Sequence, residues 1–158
     1  MELSARLSPH FTFGELTTTD QRQFQEKNRE LAFMYLEAGT ALASLLESVR
    51  AKFDSPVHIH SGFRCKELNR RVGGSPTSQH MVFQAADFHV RGADLETVFH
   101  WIWKESGLSW GQLILEGFVR PSWLHLSLGS PWRTRKNGQV LRMLNGTYQT
   151  LDGGGDGG

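Results

Sequence analysis

Cysteine, excess charge of one sign and long apolar runs are all scarce in this sequence of 158 residues. Its single cysteine, Cys65, has no second thiol to pair with, which excludes an internal disulfide framework, and we expect it to pack as a small apolar group. The net charge is +1, from 17 basic and 16 acidic side chains, so no long-range field recruits nucleic acid or anionic lipid. The apolar runs are too short to span a membrane, and the N-terminal segment lacks the apolar core of a signal peptide. We therefore expect a soluble chain without an export signal, synthesised in the cytoplasm.

The composition predicts one folded domain followed by a polar tail. With 39% hydrophobic side chains, the chain is long enough to bury its own core, which we assign to residues 1–151. Residues 152–158 are glycine and aspartate, which bury no apolar surface, so we expect a flexible tail there.

Apolar periodicity predicts the helices. Between residues 28 and 53, apolar side chains recur at steps of three and four, which indicates one long amphipathic helix that supplies a face of the core. Shorter helices are predicted at residues 66–72 and at 95–103, the latter capped by Asp94. An extended arm and a short helical turn are expected between residues 11 and 20.

Other segments alternate with period two or form short apolar runs, as strands do. We predict strands at residues 57–60, 85–90, 113–115 and 123–128, and a hairpin over residues 140–151 that turns at Asn145-Gly146. Together with the helices, these strands predict a small α+β domain in which an antiparallel sheet is flanked by helices.

Two of the predicted strands present metal-binding side chains. Alternation places Asp87 and His89 on one face of the first strand, and Trp123 and His125 on one face of the second. His80 precedes Asp87 by seven residues. Imidazole and carboxylate are ordinary Zn²⁺ donors, and three protein ligands leave one position for water. The residues thus predict a zinc site of His80, Asp87 and His125; the alternative is a hydrogen-bonded groove histidine beside an Asp87–arginine pair.

Several short motifs between residues 57 and 127 resemble those of a known family. They are Ser61-Gly62-Phe63-Arg64, Leu68-Asn69, Val72-Gly73-Gly74-Ser75, Thr77-Ser78-Gln79-His80, Ala85-Ala86-Asp87 and Trp123-Leu124-His125-Leu126-Ser127. The family is that of the zinc D-alanyl-D-alanine carboxypeptidases and L-alanyl-D-glutamate endopeptidases, which cut the peptide stems of bacterial peptidoglycan and include phage endolysins. The resemblance implies their hedgehog-like zinc fold, with one Zn²⁺ ion held by His80, Asp87 and His125.

The resemblance also implies catalytic residues, with two departures. Arg64 is expected near the metal to stabilise the oxyanion, although a surface ion pair is the alternative. Many relatives carry a carboxylate three residues before the last histidine, where this chain has Ser122. We therefore expect Glu116 to be the base. The alternative is that Glu116 is only an exposed charge at the end of its strand. Phe83 stands where relatives usually have glycine. We expect either that its loop differs from theirs or that its ring narrows the groove, and a positive φ would be costly for a phenylalanine at this position.

Ser78, Gln79, His89 and Trp123 are the expected substrate contacts, and His60 is a further groove candidate. The implied function is a zinc metallopeptidase that acts on the peptidoglycan stem, either as a D,D-carboxypeptidase or as an L-alanyl-D-glutamate-type endopeptidase. Without an export signal, it would act on the cell wall as a phage or prophage lysis enzyme, or as a component of a phage tail or injection particle. The alternatives are a zinc-bearing, catalytically silent cell-wall-binding or phage structural module, and hedgehog-like signalling, which needs an exported precursor.

Overall fold

The computed structural model describes residues 1–132 and 137–151, so the predicted tail at 152–158 lies outside the described residues. The α-helices are α1 (Phe13–Thr17), α2 (Gln25–Ala32), α3 (Leu36–Phe53), α4 (Lys66–Arg71) and α5 (Leu95–His100). The strands are β1 (Arg6–Ser8), β2 (Phe11–Thr12), β3 (Val57–Ser61), β4 (Ala85–Val90), β5 (Gln112–Gly117), β6 (Pro121–Ser127), β7 (Gln139–Leu144) and β8 (Thr147–Thr150). These elements confirm the predicted α+β class.

Strands β3 to β8 form one six-stranded sheet in the order β3-β4-β6-β5-β7-β8. Neighbouring strands are antiparallel except for β5 and β7, which are parallel. The prediction of a wholly antiparallel sheet is therefore wrong at this pair. Strand β7 lies on the far side of β5 from β6, and both β5 and β7 run opposite to β6. The hairpin predicted at the end of the sheet is confirmed as β7 and β8, with Asn145 in the left-handed conformation at its turn.

The long helix predicted over residues 28–53 is interrupted. It is divided into α2 and α3 by a 3₁₀ turn over Phe33–Tyr35. Met34 belongs to the predicted apolar stripe, yet it is 73% exposed. The reason is tertiary, since α2 packs on α1 whereas α3 packs on β1, β3 and β4, so the two segments need different directions.

Two shorter helices also differ from their predicted bounds. Asp94 caps α5 as expected, because its carboxylate accepts a hydrogen bond from the Thr97 amide, but the helix ends at His100 and the chain continues as a π-helical turn over Trp101–Glu105. The predicted turn near the N-terminus is α1. A reciprocal pair of Thr12 and Glu15 caps it, each side chain accepting a hydrogen bond from the other residue's backbone amide.

The two faces of the central strands have different environments. Ala86, Leu126 and Leu113 are neighbours across β4, β6 and β5, and all three are fully buried in the main core. Cys65 is also buried in this core, as predicted. On the opposite face, Asp87 stands beside His125, so the polar residues are presented away from the helical core. In the described part of the chain, no helix is long and apolar enough to cross a membrane.

Candidate metal centre

Three donor side chains converge where β4 pairs with β6. The antiparallel register sets Asp87 directly opposite His125, while His80 comes from a 3₁₀ turn over Gln79–Val82 that leads into β4. Asp87 Oδ1 lies 3.2 Å from His80 Nε2 and 2.9 Å from His125 Nδ1. One ligand atom from each residue lies within 4.8 Å of the other two, and all three residues are buried. The predicted trio is therefore brought together.

The ring of His80 is held so that one nitrogen can face a cation. His80 Nδ1 lies 2.7 Å from the carbonyl oxygen of Gly62, an acceptor, so this nitrogen carries the proton and Nε2 has a free lone pair. Burial lowers the pKa of His80, which favours the neutral ring that binds metals. Position 62 has to be glycine, because a Cβ there would lie 2.2 Å from the carbonyl oxygen of Leu16.

Asp87 is ionised in spite of its burial. Desolvation opposes its charge, but electrostatic attraction to His80 and hydrogen bonding with His125 outweigh it, so the pKa of Asp87 lies well below its ordinary value. Arg64 Nη2 donates to Asp87 Oδ2 at 2.9 Å, and Arg64 Nε donates to Ser61 Oγ at 2.9 Å. The carboxylate thus turns one oxygen towards the two histidines and the other towards the guanidinium.

The donor set fits a divalent cation. Two imidazoles and one ionised carboxylate are the ligand types of hydrolytic zinc sites. His125 adds a second observation, because its Nε2 is buried and has no hydrogen-bond partner among the described residues. A hydrogen-bonded cluster by itself thus leaves one ring nitrogen of His125 unsatisfied.

Asn28 supports the Arg64 loop and was missed as a functional residue. It is fully buried, and its amide nitrogen donates to the carbonyl oxygens of Thr17 at 2.7 Å and Phe63 at 2.9 Å. Its Oδ1 accepts a hydrogen bond of 2.8 Å from the Cys65 amide. These contacts hold the backbone on both sides of Arg64. The sequence does carry a signal, since Asn28 is a polar residue in register with the apolar stripe of its helix.

Glu116 and Trp123 lie beside the three donors, on β5 and β6. They are partners across the two strands, and Trp123 Nε1 donates to Glu116 Oε2 at 2.9 Å. Burial raises the pKa of Glu116, and the charge of Asp87 raises it further, against the opposing effects of His125, the Trp123 hydrogen bond and Arg64. Glu116 is therefore a half-buried carboxyl group in the cleft, and not the exposed strand-end charge of the alternative.

A cleft of about 600 Å³ contains the cluster. The predicted substrate contacts Ser78, Gln79 and Trp123 line it, and the Ser78 hydroxyl also accepts a hydrogen bond from the His80 amide. His89 shares the face of Asp87 but is not among the residues that line the cleft; its Nδ1 lies 2.7 Å from His60 Nε2. The substrate contact predicted for His89 therefore stays a prediction, without support from the cleft lining. Tyr148 of the terminal hairpin lines the cleft instead, and no local pattern indicated this.

The two departures from the family motifs have structural explanations. The Ser122 hydroxyl is exposed and donates to the Arg120 carbonyl oxygen at 3.2 Å, so it takes no place in the cluster. Phe83 has a φ of 59°, the strained left-handed conformation anticipated for this position. Its ring does not narrow the groove, because it is fully buried and packs on Phe63, with ring centroids 5.6 Å apart. Gly39 of α3 leaves room for this ring, since a Cβ there would lie 2.7 Å from it.

The fold and the cluster define a class of protein, a small α+β domain with two histidines and one aspartate gathered in an open cleft as in a mononuclear metal hydrolase. A family model described as Peptidase M15 matches residues 9–125, about three quarters of the chain. The chain therefore belongs to the Peptidase M15 family and is a zinc-dependent metallopeptidase. A search of curated proteins finds no match.

Proposed function

We propose that this chain hydrolyses peptide bonds in the stem peptide of peptidoglycan, with His80, Asp87 and His125 as the zinc ligands. The observation that carries the proposal is the position of a carboxyl group with a raised pKa, Glu116, in the same cleft as the three buried donors. Family membership supports the class of substrate, and the open cleft is large enough for a short peptide.

Each residue has a separate chemical task in this proposal. When bound, Zn²⁺ supplies Lewis-acid polarisation of the scissile carbonyl and of the attacking water. Glu116 accepts the proton of that water and later delivers it to the leaving amine. A carboxyl group with a raised pKa suits this task. Its carboxylate is a stronger base than that of an ordinary glutamate, and its pKa lies nearer to neutral pH, where the group can both accept and release a proton.

Arg64 stabilises the negative charge that develops on the carbonyl oxygen. Its guanidinium has five N–H donors, more than its contacts with Asp87 and Ser61 use, so it can serve the substrate while it stays anchored. Trp123 holds the Glu116 carboxylate through its indole N–H and offers its ring to the substrate. Ser78 and Gln79 complete the proposed substrate contacts along the edge of the cleft.

The test is hydrolysis of purified peptidoglycan by the zinc-loaded chain, followed as the release of new amino groups. Chelation and His80→Ala are expected to abolish release. Glu116→Gln is expected to lower kcat by about 10²- to 10⁴-fold, the usual contribution of general acid–base catalysis. Glu37→Gln makes the same chemical change at an exposed site on α3 and should retain wild-type activity.

The outcomes separate the alternatives. Activity that survives Glu116→Gln would reject Glu116 as the base and leave the enzyme class intact. A zinc-loaded wild-type chain that binds peptidoglycan without cutting it would instead be a catalytically silent wall-binding or phage structural module. Mass analysis of the product ends distinguishes a D,D-carboxypeptidase, which releases a terminal D-alanine, from an L-alanyl-D-glutamate endopeptidase. We place the activity in phage or prophage lysis or in a tail-associated particle, a setting tested by locating the chain during infection.

A further inference from the structure

Three histidines form a second cluster of imidazoles outside the cleft lining. We call His58 and His60 of β3 and His89 of β4 the histidine cluster. The three pairs of ring centroids are 5.0, 5.0 and 4.9 Å apart. His60 Nε2 and His89 Nδ1 lie 2.7 Å from each other. Such close packing of three titratable rings on one surface has no role in the proposed peptidase chemistry.

The strand register explains how the cluster forms. His58 and His89 are direct partners across the antiparallel β3–β4 pair, so their side chains share a face of the sheet. Ile59 pairs with Phe88 and Ser61 with Asp87, which leaves His60 as the extra residue of a β-bulge. His60 follows His58 by two residues and so lies on the same face of β3, beside the other two rings. The cluster is thus built into the backbone and does not depend on a chance approach of long side chains.

The chemistry of the cluster is that of a metal site. Neutral imidazoles are donors for Zn²⁺, Cu²⁺ and Ni²⁺, whereas Mg²⁺ and Ca²⁺ prefer oxygen ligands. A neutral imidazole keeps a lone pair on one ring nitrogen, so each of the three rings offers one donor atom. Two ring nitrogens 2.7 Å apart cannot both be protonated, so the metal-free cluster can hold one hydrogen bond at that contact. A cation bound between them would replace it.

We propose that His58, His60 and His89 form a second binding site for a divalent transition-metal ion, separate from the centre of His80, Asp87 and His125. His58 and His60 are exposed, so the ion enters from solvent, and the exposed rings have to rotate to direct all three nitrogens towards it. The second site is the weaker of the two, because it lacks a carboxylate ligand and is open to water. The proposal does not rest on the activity of the cleft.

Equilibrium dialysis of the metal-stripped chain against increasing Zn²⁺, with bound zinc counted by elemental analysis, tests the proposal. The wild type should bind two ions per chain, the second more weakly. His58→Ala combined with His60→Ala should remove the weaker ion and keep the tighter one, whereas His80→Ala should lose the tighter ion and keep the weaker one. Both cluster substitutions are at exposed positions, and circular dichroism checks that the fold is retained.

A second measurement locates the ion. The ring of His60 lies 6.4 Å from the ring of Trp123, so, once Zn²⁺ fills the tighter centre, Cu²⁺ in the cluster should quench the fluorescence of that tryptophan. The quenching phase should disappear in the double histidine variant and shrink in Trp123→Phe. A wild-type chain that binds a single zinc ion over the whole titration would overturn the proposal. So would a double variant that binds as much zinc as the wild type, and neither result would bear on peptidoglycan hydrolysis.

Discussion

Replacement of Asn28 by alanine should destabilise the fold and disturb the Arg64 loop together. The substitution removes three hydrogen bonds from a fully buried site, two to carbonyl oxygens and one from the Cys65 amide. At a net value of about 1 kcal/mol each, their loss lowers the free energy of unfolding by about 3 kcal/mol. This is a large part of the 5–15 kcal/mol typical of a domain.

Urea unfolding measures this change directly. With an m-value of about 1.5 kcal/mol per M, the transition midpoint should fall by about 2 M. Glu30→Ala, at an exposed position on the same helix, is the matched control and should change stability by less than about 0.5 kcal/mol. The activity of folded Asn28→Ala should also fall, through kcat, because Arg64 loses the anchors on both sides of it.

Asn28→Asp sharpens the test. Aspartate keeps an oxygen that accepts from the Cys65 amide, but it replaces the amide nitrogen with an oxygen that faces the carbonyl groups of Thr17 and Phe63. Two acceptors then repel each other, so this variant should be at least as unstable as Asn28→Ala. An Asn28→Ala midpoint within experimental error of the wild type, or a fully stable Asn28→Asp, would refute the assignment of these three hydrogen bonds.

Three further predictions concern pH and backbone strain. Trp123→Phe should move the acidic limb of the kcat/KM profile to higher pH. The hydrogen bond from Trp123 favours the ionised form of Glu116 and lowers its pKa, so loss of this bond raises the pKa. Phe83→Gly should lower the free energy of unfolding by about 3 kcal/mol in thermal denaturation, since a lost buried ring costs roughly 4 kcal/mol and relief of the left-handed backbone returns only about 1 kcal/mol. Glu47→Gln should lower the free energy of unfolding by about 2 kcal/mol at pH 7 and by progressively less as the pH falls below 4.5. Desolvation opposes ionisation of Glu47, but hydrogen bonds from Ser8 and His10 outweigh it and place its folded pKa below 4.5, so its contribution is present above that pH and is lost as pH falls through the folded value. Equal urea midpoints for Glu47→Gln and the wild type at pH 7, or a difference that does not shrink as the pH falls below 4.5, would contradict this.

Most of the metal centre could be predicted because strand alternation is a local property. Period two alone puts Asp87 on one face of β4 and His125 on one face of β6. The interrupted helix could not be predicted in this way, because periodicity continues through Met34 although α2 and α3 pack on different partners. Phe83 shows the same limit, since its left-handed backbone was anticipated but the burial of its ring beside Gly39 depends on how α3 crosses the sheet.

By itself, the sequence determined the types of donor, the faces on which the strands carry them and the family motifs, since these depend on residue identity and on spacing along one segment. Tertiary structure alone decided that Asp87 lies opposite His125, that Asn28 braces the loop of Arg64 and that the pairing of β3 with β4 brings His89 to His58 and His60. Each of these needs a register or a contact between segments remote in sequence. Such contacts are selected by the packing of the whole core, which no local pattern contains.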